Sequence, residues 1–274
     1  MITYDNLSLN INYGHQKKLE VLGFRLKSAG VHAARTIMLE DLASLLSYVN
    51  NPDAVKDDYR RAIIEDNCLG KRSGKTRSIT YSHLTSLYGL DQNILIFGTM
   101  LYFWNRDPHS RPLLALLCAY CRDDLLRQSF SFIRETNLGA RVNRQDLEEF
   151  IEQNEPERFS PATRMSLAQN LNSSWTKSGH LRGGTKKYRS RAKASCGSVC
   201  YALFLGHITG VRGQSLFNSE YCELFDSSFE DLLEFAQEGS RRGWIVFKRI
   251  ADVMEVQFPS LIKSKETAWI NEQS

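Results

Sequence analysis

Four basic side chains, Lys71, Arg72, Lys75 and Arg77, crowd one short stretch of this sequence. Ten more, Arg158, Arg164, Lys177, Arg182, Lys186, Lys187, Arg189, Arg191, Lys193 and Arg212, lie between Glu157 and Glu220 with no Asp or Glu among them. Residues 1–157 hold 19 basic and 20 acidic side chains and residues 220–274 hold 6 and 11, so the net charge of +4 comes from the 62 residues in between. The chemistry open to such a single-sign field is the binding of a polyanion, nucleic acid above all, by neutralising phosphates and releasing their counterions.

Spacing divides the acid-free segment into two parts. Ser160 and Pro161 read as the cap and first turn of a helix that runs to Lys177. At 100° per residue, Met165, Ala168, Leu171 and Trp175 share its inner face, while Ser166, Asn170, Ser173 and Lys177 share the outer one, flanked by Gln169 and Thr176. Asn and Gln pair bidentately with an adenine edge, and Ser or Thr suit bases or phosphates. Gly179 reads as the helix C-cap, with Leu181 folding back on it. After Gly183 and Gly184 the chain continues through Lys186, and an extended conformation puts Lys187, Arg189, Arg191 and Lys193 on one face. A helix, a tight turn and a basic strand are expected to form a winged helix, with Arg164 and Arg182 adding charge beside it.

The first cluster precedes a short helix predicted over residues 79–88, which contains Ser82, His83 and Thr85. It is either a second DNA contact or a solvated interhelical loop. Gly74-Lys75-Thr76 matches the end of a phosphate-binding loop, but Gly70 leaves three residues between the glycines where that motif needs four, and a helix precedes it where the motif needs a strand.

Catalytic signatures are missing. No Lys follows an Asp or Glu by two positions, as one does in many metal-dependent nucleases, and there is no G-x-G-x-x-G or H-E-x-x-H. The six histidines, His15, His32, His83, His109, His180 and His207, are scattered, so neither a catalytic site nor a cofactor is expected. Cys118 and Cys121, with Cys196 and Cys200, could be imagined as a zinc site, but both pairs have the spacing of core positions on one helix face and read better as buried thiols.

The elements that must position these residues are mostly helical. Helices are predicted over residues 53–69, 79–88, 92–104, 111–138 (one or two), 143–153, 160–177 and 228–238. Trp244 to Phe247 and Val253 to Phe258, with Asp252 in the gap, read as a hairpin. The expected class is mainly α, a multi-helix globular protein with helix-turn-helix and winged-helix elements and a small C-terminal β-hairpin. An N-terminal helical domain over 1–140 and a winged-helix-like domain over 141–274 are expected. A composition of 42% hydrophobic and 24% charged residues suits a water-soluble chain. Its apolar runs fall short of the roughly 20 residues that cross a bilayer, and no secretory signal follows Met1, so a cytoplasmic location is expected.

The blocks "RRAIIEDNCLGKRSGKTRSITYSHL", "LLALLCAYCRDDLLRQSFSFIRE", "TRMSLAQNLNSSWTKSGHL" and "GWIVFKRIADVMEVQFPSLI" occur in an order that resembles the BrxA family of bacteriophage exclusion (BREX) defence systems, over residues 30–274. The resemblance implies a mostly helical protein with helix-turn-helix-like elements. It also implies binding of double-stranded DNA without enzymatic activity, beside a methyltransferase and other defence subunits. It points to residues 71–77 with the following helix, and to residues 160–177 with their basic extension. A protein-interaction scaffold docking its basic segment on an acidic partner, and an RNA-binding factor, are the competing readings. Neither a membrane nor a small-molecule substrate is expected.

Overall fold

The computed structural model describes residues 13–26, 30–251 and 253–262; Met1, Asp252 and the side chain of His15 lie outside what it describes. Seven helices come first: α1 (Tyr13–Leu22), α2 (Leu39–Val49), α3 (Lys56–Ile64), α4 (Gly74–Tyr88), α5 (Leu95–Arg106), α6 (Arg111–Tyr120) and α7 (Asp124–Glu135). Then follow β1 (Arg141–Val142), α8 (Arg144–Asn154), α9 (Pro161–Lys177), β2 (Leu181–Arg182) and β3 (Lys187–Arg189). The chain continues through α10 (Cys196–Ile208), α11 (Glu220–Glu223), α12 (Phe229–Arg241) and the hairpin β4 (Val246–Ile250) and β5 (Val253–Gln257). The protein is mainly helical, with two small antiparallel sheets.

Local chemistry explains most boundaries. Ser73 caps α4 by accepting from the Thr76 N–H, so residues 74–77 form its first turn and not a linker ahead of it. Asp123 accepts from the Leu126 N–H and divides the 111–138 stretch into α6 and α7. Asn51 and Asp91 form turns instead of caps, accepting from Asp53 N–H and Asn93 N–H at 3.0 and 2.9 Å, so α3 and α5 start later than predicted. Ser160 and Ser228 cap α9 and α12 as their sequences suggest.

Two helices are apolar on every side, and these occupy the centre. All of α6 from Leu113 to Tyr120 is buried, and so is α10 except His207. Helix α10 packs against α5, α6, α11 and α12, so segments from both sides of residue 140 build one hydrophobic core. Cys118, Cys121, Cys196 and Cys200 are buried free thiols within it, and burial pushes the Cys118 thiol up to about 11. The terminal hairpin pairs Val246 with Gln257 through Ile250 with Val253. No helix among the described residues is long and apolar enough to cross a membrane.

Candidate nucleic-acid interface

The acid-free segment begins after α8 and runs through α9, β2, β3 and α10; its basic part packs with β1 and α8. Its sheet has the order β1-β3-β2, all antiparallel, with Arg141 opposite Tyr188 and Leu181 opposite Arg189. Helix α9 is fixed by Leu167, Ala168, Leu171 and Trp175. The Trp175 ring stacks on Phe130 at 5.9 Å, its Nε1 donates to Ser129 Oγ at 3.0 Å, and His180 meets it edge-on at 4.9 Å. Gly179 follows the helix at φ +91°, a conformation suited to glycine.

The outer face expected of α9 is largely covered. Asn170 Nδ2 donates to the His32 carbonyl at 2.9 Å, and Lys177 pairs with Glu40. Beside them, Ser174 Oγ lies 2.9 Å from His32 Nε2, and His32 Nδ1 lies 3.0 Å from Asp123 Oδ2, with all three residues at 0% exposure. Burial pushes the Asp123 carboxyl up, but the charge and hydrogen bond of His32 outweigh it and hold it below its ordinary range. The order of groups is that of a catalytic triad, yet no reactant reaches it. Ser174 also accepts from the Ile37 N–H and donates to the Asn170 carbonyl. The free face is turned by about one residue towards Met165, which is 39% exposed and not core. It presents Met165 and Gln169, with Ser166, Ser173 and Thr176 half-buried. The reason is the segment after α1, whose turn at Val31–Ala33 packs across the other side of α9.

The predicted strand face breaks down at Arg189. Strand β3 ends there, so Arg191 and Lys193 follow the sheet and do not extend it. Arg189 is 4% exposed: its Nη2 and Nη1 meet Asp226 Oδ1 and Oδ2 at 2.5 and 3.0 Å, and its Nε donates to the Ile133 carbonyl at 2.9 Å. Burial alone would raise the Asp226 carboxyl, but the hydrogen bonds and charge of Arg189 lower it on balance. Arg189 is a structural tie, removed from the set of candidate phosphate ligands.

Arg164 pairs with Glu152 and donates to the Phe159 carbonyl at 2.9 Å, which ties α9 to α8. In the first cluster, Lys71 meets Asp41 at 2.8 Å and Arg77 donates to the Ile64 carbonyl at 2.7 Å, while Arg72 and Lys75 are exposed. The accessible predicted residues are thus Arg72 and Lys75 around the start of α4, and Gln169, Arg182, Lys186, Arg191 and Lys193 spread over α9, β2, the β2–β3 loop and the chain after β3.

Of the second set, Gln169 and Lys186 line a groove of about 370 Å³ between β1, α8, α9 and the β2–β3 loop, and Arg182, Arg191 and Lys193 lie outside it. Its walls include Arg141, Arg144, Lys186 and Lys187 with Asn143, Gln145, Gln169, Asn172 and Thr185, and no Asp or Glu lines it. Lys187 is half-buried, donates to the Gly183 carbonyl at 2.9 Å, and burial lowers the pKa of its ammonium. Arg144 is held by Glu148 at 2.6 Å. Sequence reasoning missed Arg141 and Arg144 because they precede Asp146, Glu148 and Glu149, where a count of charge sees no excess. It missed Asn172 because the predicted helix phase is one residue off.

Among the described residues no three His, Cys, Asp or Glu side chains converge to hold a metal ion. No family model matches the chain, and a search of curated proteins finds no similar sequence.

Proposed function

We propose that this protein binds double-stranded DNA without catalysing a reaction on it, and that β1-α8-α9-β2-β3 acts as a winged helix. The observation that carries the reading is the groove beside α9, whose lining has four basic side chains and no acidic one. The helix pair followed by a two-stranded turn, with the third strand β1 closing the sheet, supports the winged-helix assignment. Lys186 at the loop tip, Arg182 on β2, and Arg191 and Lys193 in the chain after β3 are exposed and available to neutralise phosphates, and Gln169 is the exposed amide on α9.

Arg72 and Lys75, at the start of α4, form a second basic contact in this reading. With the resemblance to BrxA proteins, the biological role proposed is that of a DNA-binding accessory subunit of a phage-defence system, working beside other subunits in the cytoplasm.

A mobility-shift titration of duplex DNA across salt concentrations tests this. Affinity is expected to fall steeply with salt, and Arg182→Ala/Lys186→Ala/Arg191→Ala/Lys193→Ala to flatten the log–log slope by about 0.9 for each phosphate that is no longer neutralised. Failure of the wild-type chain to shift duplex DNA overturns the reading and favours docking on an acidic protein; preference for single-stranded RNA favours the RNA factor.

A further inference from the structure

One group in the groove is left without a partner. Asn172 is 6% exposed, lines the groove from α9, and its Oδ1 is buried with no hydrogen-bond partner. Its neighbours on the same helix are satisfied: Asn170 donates to His32, Ser174 donates to Asn170, and Thr176 donates to the backbone carbonyl of Asn172 itself. A buried carbonyl without a donor is destabilising, and such groups persist where something else supplies the partner. A base stacked inside a duplex cannot turn its edge into a groove wall, whereas an unstacked nucleotide is free to do so.

The rest of the groove suits the remainder of a nucleotide. At about 370 Å³ it has the size of a small-ligand site. Asn143 stands at the N-cap of α8 without a side-chain cap bond, its amide donating instead to Asp146 of the first turn at 3.0 Å, so the first-turn N–H groups of α8 have no side-chain cap and share that end with one carboxylate. Arg141 and Lys186, both exposed, flank that end. Polar amides at the floor and cations at the rim are the two halves of a site for base and phosphate.

We infer that the groove between α8, α9 and the β2–β3 loop binds one adenine nucleotide, its base paired with the Asn172 carboxamide and its phosphate held by Arg141, Lys186 and the α8 N-terminus. A carboxamide meets the amino group and ring nitrogen of adenine together, donor to acceptor and acceptor to donor, and equal binding of CMP, which offers the same pair, would overturn the choice of adenine. The nucleotide has two possible sources with the same chemistry, a free adenine nucleotide or an unpaired adenine displaced from a duplex. This inference rests on the reading of the groove as an anion site, and it is separable from duplex binding.

Titration calorimetry with AMP, and anisotropy with a labelled duplex carrying one unpaired adenine, provide the test. Saturable binding of either probe is expected, and which one binds identifies the source. Asn172→Leu keeps the side-chain volume, and should weaken binding by about tenfold or more. Arg141→Ala, at an exposed position, should weaken AMP but not adenosine, and it keeps the test alive should Asn172→Leu fail to fold. Thermal unfolding with and without AMP checks each variant. No saturable binding of either probe, equal binding of UMP, or unchanged affinity in folded Asn172→Leu overturns the inference. Arg182→Ala/Arg191→Ala/Lys193→Ala separates the two readings, because it should lose matched duplex while keeping AMP.

Discussion

Arg189 grips Asp226 with two guanidinium nitrogens, at 2.5 and 3.0 Å, and so fastens strand β3 to the chain entering α12. Because Arg189 is buried, removing it leaves the Asp226 charge with no cation and only the Ala192 N–H as a donor. Arg189→Ala is expected to cost about 3–5 kcal/mol in unfolding free energy, whereas exposed Arg191→Ala should stay within about 0.5 kcal/mol. Urea denaturation of both variants measures this. Equal stabilities would contradict the assignment of Arg189 as a structural tie.

The Asp123–His32–Ser174 chain is expected to hold the fold and to perform no chemistry. Ser174→Ala withdraws the oxygen that accepts from the Ile37 N–H and faces His32 Nε2, at a cost of about 1–3 kcal/mol for each donor left without a partner. A fluorophosphonate probe should leave native Ser174 unlabelled, as judged by intact mass. Labelling in the folded protein would show that the site opens.

Gly183 takes φ +103°, and a Cβ there would collide with the Lys186 carbonyl oxygen, while a Cβ on Gly184 meets nothing within 4 Å. Gly183→Ala should therefore distort the β2–β3 loop and weaken duplex binding by roughly threefold or more, with Gly184→Ala close to wild type. Mobility shifts on the two variants decide it. Identical affinities would remove the loop from the interface.

Burial lowers the His207 imidazole to about 4, with Arg212 adding to the shift. The unfolded chain takes up a proton near pH 6.5 and the folded one does not, so stability is complete above about 6.5 and declines as pH falls towards about 4. Burial raises the Glu220 carboxyl, which titrates with the opposite sign, so the informative quantity is the difference between wild type and His207→Gln. Denaturation at pH 7.5 and 5.0 should show a smaller acid loss in the variant. An equal loss would place the sensitivity elsewhere.

The sequence alone determined the helical class, nearly the full span of α9, the terminal hairpin and the place of the positive charge. These depend on nearest neighbours: Ser160 caps through the N–H three residues on, and apolar spacing marks an inner face. What it could not determine is which charges stay free. Arg189, Lys71 and Lys177 lose their availability to Asp226, Asp41 and Glu40, which lie 37, 30 and 137 residues away. Arg141 and Arg144 gain a place beside Lys186 only because β1 pairs with β3. A charge excess along the chain is a sum over neighbours in sequence, whereas an open binding face is set by partners in space, and only the folded arrangement of α2, α9 and the three-stranded sheet decides those.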